Sequence, residues 1–322
     1  MPEDLFSFEN LYKAHLAARR GKRHKKDVIA FEMDLAHSIW NLKNRIDSGR
    51  YKIHNYNTFN VYEPKKREIQ AVKYSHRVVM HCLCDNYLTP LLEKRLIYDN
   101  AACRKGKGTH FSLRRLKKFF CEHYKQYGNE GYILKMDICK YFPSINREIL
   151  IGKLRKIIED EGILEMMEMI ISSWNGEEGK GLPMGNQTSQ WFALYYLDEV
   201  DRLIKEKLAI KYYVRYMDDM VIIHHDRGYL KEILRQVRLL CRNLKLELNA
   251  KTQISPIKNG VEYLGWRFYL LDSGKVLMRL KRTSRVRIRE RMRGKLKREI
   301  IVATWGHLKH GDSWNFWKRC LG

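Results

Sequence analysis

No stretch of this 322-residue chain approaches the roughly 18–20 consecutive apolar residues that a membrane-spanning helix needs, and its N-terminus has no signal-peptide core. A soluble, cytoplasmic protein with no membrane partner is expected. The seven cysteines, Cys82, Cys84, Cys103, Cys121, Cys139, Cys241 and Cys320, include no Cys-x-x-Cys pair, so the usual spacing of a zinc site or redox motif is missing. They read as reduced thiols, and His81-Cys82-x-Cys84, on an apolar helical run, reads as packing. Proline (6) and glycine (20) are few, and neither a low-complexity linker nor a repeat is present, so any domains are closely apposed. Acidic residues are outnumbered, 37 against 62 Lys and Arg, giving a formal net charge of +25. That excess points to a polyanionic partner, nucleic acid first and a membrane surface second. A hydrophobic content of 44% excludes disorder and is enough to bury a core in one large or two modest domains.

What is present alternates between helix and strand. Residues 28–47 and 74–96 read as helices, and Leu230, Ile233, Leu234, Val237, Leu240, Cys241 and Leu244 place a helix over 228–246. Tyr132 to Asp137 reads as a short strand ending in an acid. Apolar runs from Tyr212 to Tyr216 and from Met220 to His224 flank Met217-Asp218-Asp219, the pattern of a β-hairpin with acids at its turn. The segment KRTSRVRIRERMRGKLKR, from Lys281 to Arg298, is strongly basic, while Ile288, Met292, Leu296 and Ile300 recur at helical spacing. It reads as a helix with an apolar seam and a cationic back suited to phosphate. The expected class is mixed α/β, of the α+β kind.

An Asp-Asp pair between strands has an ordinary explanation, since Asp is common in turns for local hydrogen-bonding reasons. The strand YILKMD changes its weight, because neighbouring strands that each end in a carboxylate converge on one cation-binding point. Oxygen-only ligands suit Mg²⁺, which keeps several waters and is held by one or two carboxylates plus substrate phosphates. Phosphoryl transfer asks chiefly for in-line positioning and charge neutralisation, which two metal ions about 3.5–4 Å apart supply. Asp137 and Asp218 are expected to bridge two Mg²⁺ ions, with Mn²⁺ as a substitute. Asp219, pointing to the opposite strand face from Asp218, is expected to be a partial ligand, and Ile138 to offer its backbone carbonyl.

Taken in order, these residues resemble the reverse-transcriptase family. Tyr216-Met217-Asp218-Asp219 resembles its signature box, LKMDICKYFPSIN (134–146) the box carrying the first catalytic Asp, and GLPMGNQTSQ (181–190) the box whose loop and helix support nucleotide and template. Leu248-Asn249-Ala250-Lys251-Thr252 and Tyr263-Leu264-Gly265-Trp266 resemble the later lysine and primer-grip boxes. KKREIQAVKYSHRVVMH (65–81) and YDNAACRKGKGTH (98–110) resemble the fingers boxes of bacterial members. The likeness implies a right-hand polymerase, with fingers and palm interleaved over 1–275 and a short basic helical thumb with its tail over 276–322. Where most relatives carry Gln-Gly-x-x-x-Ser-Pro, this chain has Met184-Gly185-Asn186-Gln187-Thr188-Ser189-Gln190. That ending, with Cys-Arg-Lys-Gly-Lys-Gly-Thr-His upstream, is similar to the reverse transcriptases of diversity-generating retroelements, from bacteria or phages. The Asn-Ala-x-x-His and Val-Thr-Gly motifs of retron enzymes are missing, and the chain is expected to end before any maturase or endonuclease domain.

By this resemblance Phe142 is a steric gate against a 2′-hydroxyl, with a core aromatic as the alternative. Met184 stands where many relatives have a glutamine that contacts the incoming nucleotide. A thioether cannot supply the amide's hydrogen bonds, which implies relaxed selectivity opposite template adenine. Gly185 and Gln190 belong to the same nucleotide-binding loop. Arg67 is expected to clamp the triphosphate with its guanidinium fork, and Lys251 to protonate departing pyrophosphate or else contact a phosphate. Arg104, Lys105 and Lys107, with Gly106 and Gly108 as a backbone cradle, and Arg285, Arg289 and Arg293 are the expected nucleic-acid contacts. Trp305, Gly306, His307, Trp314 and Trp317 read as thumb packing first, base stacking or partner docking second. The implied activity is error-prone copying of a template-repeat RNA into cDNA from deoxynucleoside triphosphates, diversifying a target gene. A small basic accessory protein, single or oligomeric, is the implied partner. The alternatives are a retron-like or template-independent defence reverse transcriptase and a non-catalytic RNA-binding scaffold, the last opposed by the presence of all three palm acids.

Overall fold

The computed structural model describes residues 5–53, 56–62, 67–174, 177–293 and 298–321. Two compact units are interleaved along the chain, Met1–Leu96 with Cys139–Glu199 and Cys241–Leu246, and Ile97–Ile138 with Val200–Leu240 and Glu247–Gly322.

The first unit is mainly helical. The helix expected over 28–47 is two, Lys26–Met33 and Leu35–Asp47, because Asp34 leaves helical geometry (φ −134°, ψ 70°) and caps the second by accepting from His37 N. Over 74–96 the chain is helical from Tyr74 to Glu93, but Cys84–Leu88 is a π turn. Pro90 explains it: proline has no N–H, and its ring would strike the carbonyl four residues back, so the turn widens ahead of it. Asn86 Nδ2 takes up the Cys82 carbonyl at 3.0 Å. Strands β1 (Asn57–Val61) and β2 (Arg67–Ala71) form an antiparallel pair. The Gln187–Tyr196 helix buries Thr188, Ser189 and every residue from Trp191 to Tyr196, and packs on the Tyr74–Leu83 helix.

The second unit is built on a four-stranded antiparallel sheet of β3 (Tyr132–Met136), β4 (Tyr213–Tyr216), β5 (Asp219–His224) and β6 (Gln253–Pro256), in the order β4-β5-β3-β6. Ile133, Val214, Val221 and Ile223 join Leu113, Leu116, Phe119 and Phe120 of the Thr109–Tyr127 helix in one core. Leu134, Met136, Tyr213, Met220 and Ile222 alternate with them and are also fully buried. Burial of both faces is why these strands read as near-continuous hydrophobic runs. A second sheet, β7 (Val261–Tyr263), β8 (Trp266–Leu270) and β9 (Val276–Leu280), adds Tyr263, Trp266, Phe268 and Met278 to the same core. Its first turn, Leu264-Gly265, has positive φ at both residues (47° and 84°), the type I′ hairpin that matches strand twist. Residue 275 falls between β8 and β9, which are hydrogen-bonded neighbours within the second unit.

The helix expected over 228–246 spans Arg227–Asn243. The basic helix is shorter than its charge run: Arg282–Arg291 is helical, Leu296 lies outside the described residues, and a further helix covers Arg298–Leu308. Of the expected seam, Met292, just past the helix end, is buried in the core, and Ile288 and, on the following helix, Ile300 are partly buried against it. Trp317 is buried and Trp305 packs against it at 5.4 Å between ring centroids, while Trp314 is exposed. Trp266 is fully buried at the centre of this core. Trp266→Ala is expected to cost about 3–5 kcal/mol, read as a lowered midpoint in chemical denaturation; a midpoint within error of wild type would remove Trp266 from the core.

Candidate active site

Two strand ends bring the acids together. β3 runs antiparallel to β5 with Met136 opposite Met220, so continuing the register one step sets Asp137 beside the start of β5. Asp218 occupies the two-residue turn between Tyr216 and Asp219, which are paired across the hairpin. Met217, the first residue of that turn, has φ +55° and Asp218 does not share the sign. This is the sign pattern of a type II′ turn, where glycine is favoured, so a side-chain-bearing residue is held in a conformation it rarely adopts.

The carboxyls of Asp137 and Asp218 are in contact. Burial, and next the Asp137 charge, push the Asp218 carboxyl up to about 6, and a side-chain hydrogen bond links the two acids. Asp219, expected as a partial ligand, has its Oδ1 ion-paired with Lys135 Nζ. Burial pushes the Lys135 ammonium down to about 8, against the pull of Asp137 and Asp218. Lys135 and Asp137 share a strand face because they are two residues apart. Among the described residues no three His, Cys, Asp or Glu side chains are grouped to hold a metal ion, so the acids stand as a pair with Asp219 beside it. Two half-buried carboxylates that repel each other, with the Lys135 ammonium only partly offsetting their charge, fit a hard divalent cation taken through oxygen.

The pair rests on side chains that the sequence did not single out. Arg215 is fully buried, and its Nε and Nη2 donate to the two oxygens of Asp201 at 2.8 and 2.6 Å. Its Nη1 donates to the Met217 carbonyl at 2.9 Å, which ties the strained turn to the ion pair beneath it. Tyr213 OH adds a third hydrogen bond to Asp201. On the other side, Asn249 N donates to the Asp137 carbonyl at 2.7 Å and its Nδ2 lies 3.5 Å from Asp137 Oδ2. Ile138 is buried and forms a β-bridge with Leu248. Lys251, one turn on from Asn249, is exposed, and its N–H donates to Asn249 Oδ1. Lys135 had a signal, a cation in an apolar strand in step with Asp137. Asp201 had none, because its partner is fourteen residues away on another element.

The remaining expected residues divide between the units. In the first, Phe142 is half-buried in the short helix Tyr141–Ser144, and its carbonyl accepts from Leu182 N at 3.0 Å. The Met184 carbonyl accepts from Gln70 N at 3.2 Å, and a Cβ on Gly185 (φ +118°) would lie 3.1 Å from Ile69 Cγ2. The loop is therefore held against β2, whose first residue is Arg67; the Arg67 side chain lies outside the described residues. Gly185 and Gln190 line a pocket of about 180 Å³ with Lys22, Arg77 and His81. Burial, then Arg77, push the Lys22 ammonium down, while Asp85 accepts from Gln187 Nε2 at 3.0 Å and pairs with His81 beside the pocket. In the second unit Arg104 is buried and gives Nη1 to the carbonyls of Ile97 and Asn100, bonds that brace its loop. Lys107 bonds the Tyr98 carbonyl and lies over the Tyr98 ring, while Lys105 is exposed. Arg285 and Arg289 lie over the Phe316 ring at 5.3 and 5.5 Å, and Arg293 is exposed.

An antiparallel sheet flanked by helices, with carboxylates meeting at the ends of adjacent strands, defines the class of protein as a palm-type polymerase fold. The chain belongs to the reverse transcriptase (RNA-dependent DNA polymerase) family, whose sequence model matches residues 64–268. It is similar to the putative COX1/OXI3 intron 2 protein of Saccharomyces cerevisiae, 23% identical, covering 53% of this chain and 27% of that protein. The putative COX1/OXI3 intron 1 protein of the same yeast is 18% identical, over 52% of this chain and 20% of its own length. The chain thus spans about a quarter or less of these relatives. In fold it is similar to telomerase from Candida albicans, solved with a TWJ fragment of telomeric RNA, with a TM-score of 0.55 and 12% identity over 81% of this chain and 52% of that one. Members of the family use divalent metal ions. Among the described residues no helix is long and apolar enough to cross a membrane.

Two outcomes test the site as built. Asp201→Asn breaks a fully buried ion pair and leaves Arg215 uncompensated, so it is expected to cost about 3–5 kcal/mol, measured by urea denaturation; a loss below about 1 kcal/mol would mean that the pair is not buried as described. Burial and the Asp137 charge hold the Asp218 carboxyl up at about 6 in the native state, above the ordinary aspartate value. The native state therefore keeps a proton that the unfolded chain has released, and stability from this group is present below about pH 4 and lost as pH rises to about 6. In a chelator at pH 7.5, Asp218→Asn is expected to raise stability by on the order of 2 kcal/mol, read as a higher melting temperature, with the gain shrinking towards pH 4. An equal or lower melting temperature at pH 7.5 contradicts the repulsion.

Proposed function

We propose that the chain is an RNA-directed DNA polymerase that copies a template RNA into cDNA from deoxynucleoside triphosphates. The contact between Asp137 and Asp218 carries this reading, because a polymerase needs oxygen ligands converging where the primer hydroxyl and the triphosphate meet. Divalent cations held by these two acids, Mg²⁺ with Mn²⁺ as substitute, supply charge neutralisation at the attacking and leaving oxygens. The chain's own residues do the rest. Asn249 and the Arg215–Asp201 pair hold the acids in register, and the Asp219–Lys135 pair sets the charge next to them. Lys251 protonates departing pyrophosphate. Phe142 underlies the sugar and rejects a 2′-hydroxyl, Arg67 clamps the triphosphate, and the Gly185–Gln190 loop supports the base pair. Functionally, fingers and palm run over 1–275 and the thumb over 276–322.

The finer reading is that of a reverse transcriptase from a bacterial or phage diversity-generating retroelement, with a template-repeat RNA and a small basic accessory protein as partners. Its support is the Met184–Gln190 sequence, whose first side chain has no amide to check the nascent pair. Primer extension on a defined RNA template tests both levels. Asp218→Ala is expected to lower extension by at least about 10³-fold while RNA binding is largely kept; full activity would refute the metal assignment. Met184→Gln is expected to lower misincorporation opposite template adenine several-fold, and an unchanged error spectrum would separate fidelity from this position.

A further inference from the structure

An interior strand of the four-stranded sheet carries a cation where its pattern calls for an apolar residue. Ile133, Lys135 and Asp137 lie on one face of β3, and Ile133 belongs to the core that includes Leu116 and Phe120 of the Thr109–Tyr127 helix. A lysine in that row needs a partner, because a charge taken out of water is costly unless it is paired. The register says which group is in reach. Lys135 stands opposite Val221 and Met136 opposite Met220, so one step further Asp137 faces Asp219, and Asp219 shares the face of Val221 and Lys135. The backbone thus sets Asp219 directly beside Asp137, yet the Asp219 Oδ1 is ion-paired with Lys135 Nζ.

The lysine also has a seat that is not an acid. Its Nζ lies 5.1 Å from the centroid of the Tyr263 ring, a cation–π contact. Tyr263 is buried, and its hydroxyl shares a hydrogen bond of 2.6 Å with the Oγ of Ser112, itself fully buried. A ring fixed in that way gives the ammonium a standing partner, so Lys135 does not depend on Asp219 alone. Glu262, another acid whose charge reaches Lys135, is ion-paired with Lys281 at 2.5 Å. The charges of Asp137 and Asp218 act on Lys135 as well, and Asp219 is in contact with it. One monovalent cation among three carboxylates therefore takes part of the electrostatic role that a divalent ion would fill.

We propose that Lys135 is a resident counter-ion that competes with the divalent cation for Asp219, and so sets how tightly this chain holds its metal. It is a positioning residue, acting through Asp219. While the two are paired, Asp219 is kept off an ion held by Asp137 and Asp218; when the ion takes Asp219, the ammonium keeps the Tyr263 ring as its partner. The inference rests on the reading of Asp137 and Asp218 as the cation-binding pair.

Mn²⁺ titration of the intact chain, followed by electron paramagnetic resonance, tests this without any need for turnover. Lys135→Met, which keeps an unbranched side chain and removes its charge, is expected to bind Mn²⁺ about tenfold more tightly. Lys135→Arg, which keeps the charge, is expected to stay near wild type. The gain is expected to need Asp219, so most of it vanishes when Lys135→Met is made in an Asp219→Asn background. Lys135→Gln, neutral but polar, carries the same expectation as Lys135→Met and takes its place if that variant does not fold. An affinity unchanged or weakened by loss of the charge overturns the proposal. A gain that persists in full in the Asp219→Asn background makes Lys135 a general repulsive charge and overturns the competition for Asp219. Asp137→Asn separates the two levels. Uptake that survives it removes the acid pair as the metal site, and the role of Lys135 with it; uptake lost in Asp137→Asn but unchanged in Lys135→Met leaves the pair standing and overturns the role of Lys135 alone.

Discussion

Two carboxyls pressed together at the ends of neighbouring strands repel each other, and much of the second unit can be understood as the means of holding them there. Burial raises the Asp218 carboxyl and Asp137 raises it further, so the pair is a standing electrostatic cost in the absence of a cation. The backbone meets that cost through register, because an antiparallel sheet fixes which residues end side by side. Asn249 holds Asp137 from one flank, and the Arg215–Asp201 pair holds the turn bearing Asp218 from beneath. The charge that makes the site hard to fold is the charge that makes it useful, since oxygen donors already in contact need little rearrangement to clasp a divalent ion.

The Arg215–Asp201 pair is an expensive way to support a turn. Replacing such a pair with well-packed apolar residues is often neutral or stabilising, so its retention is best explained by what Arg215 does with its third nitrogen. That nitrogen reads the Met217 carbonyl, and Met217 is where the backbone is held at positive φ. A directional donor fixes a strained turn in one conformation, which an apolar contact does not. Lys135 works similarly on Asp219: by engaging it, the lysine leaves Asp137 and Asp218 as the matched pair.

Much of this could be read from the chain. The acid-ended strand and the hairpin follow from short apolar runs, which both sheet faces being buried made conspicuous, and the amphipathic helix beginning near Arg227 follows from a period of 3.6. What was not legible depends on single residues acting through space. Asp34 breaks a helix whose apolar spacing runs on across it, because its side chain caps better than it continues. Pro90 does the reverse, sitting within a helical run that absorbs it as a π turn. Arg104 looked like a phosphate contact in a basic loop, yet its guanidinium turns inward to carbonyls. Asp219 was expected to be the weaker ligand from strand alternation, and its partner Lys135 was visible only as a cation out of place in an apolar strand. Asp201 carries no local pattern at all; its importance lies in the Arg215 and Tyr213 side chains that meet it from another element.

The central claim is that Asp137 and Asp218 together form the cation-binding pair. It is tested most directly by Mn²⁺ binding to the intact chain, followed by electron paramagnetic resonance, with an RNA template, a dideoxy-terminated primer and the next deoxynucleotide present. Wild type is expected to take up Mn²⁺ that Mg²⁺ displaces, and Asp137→Asn to lose most of that uptake while still binding the template and primer. Uptake by Asp137→Asn equal to wild type would contradict the account.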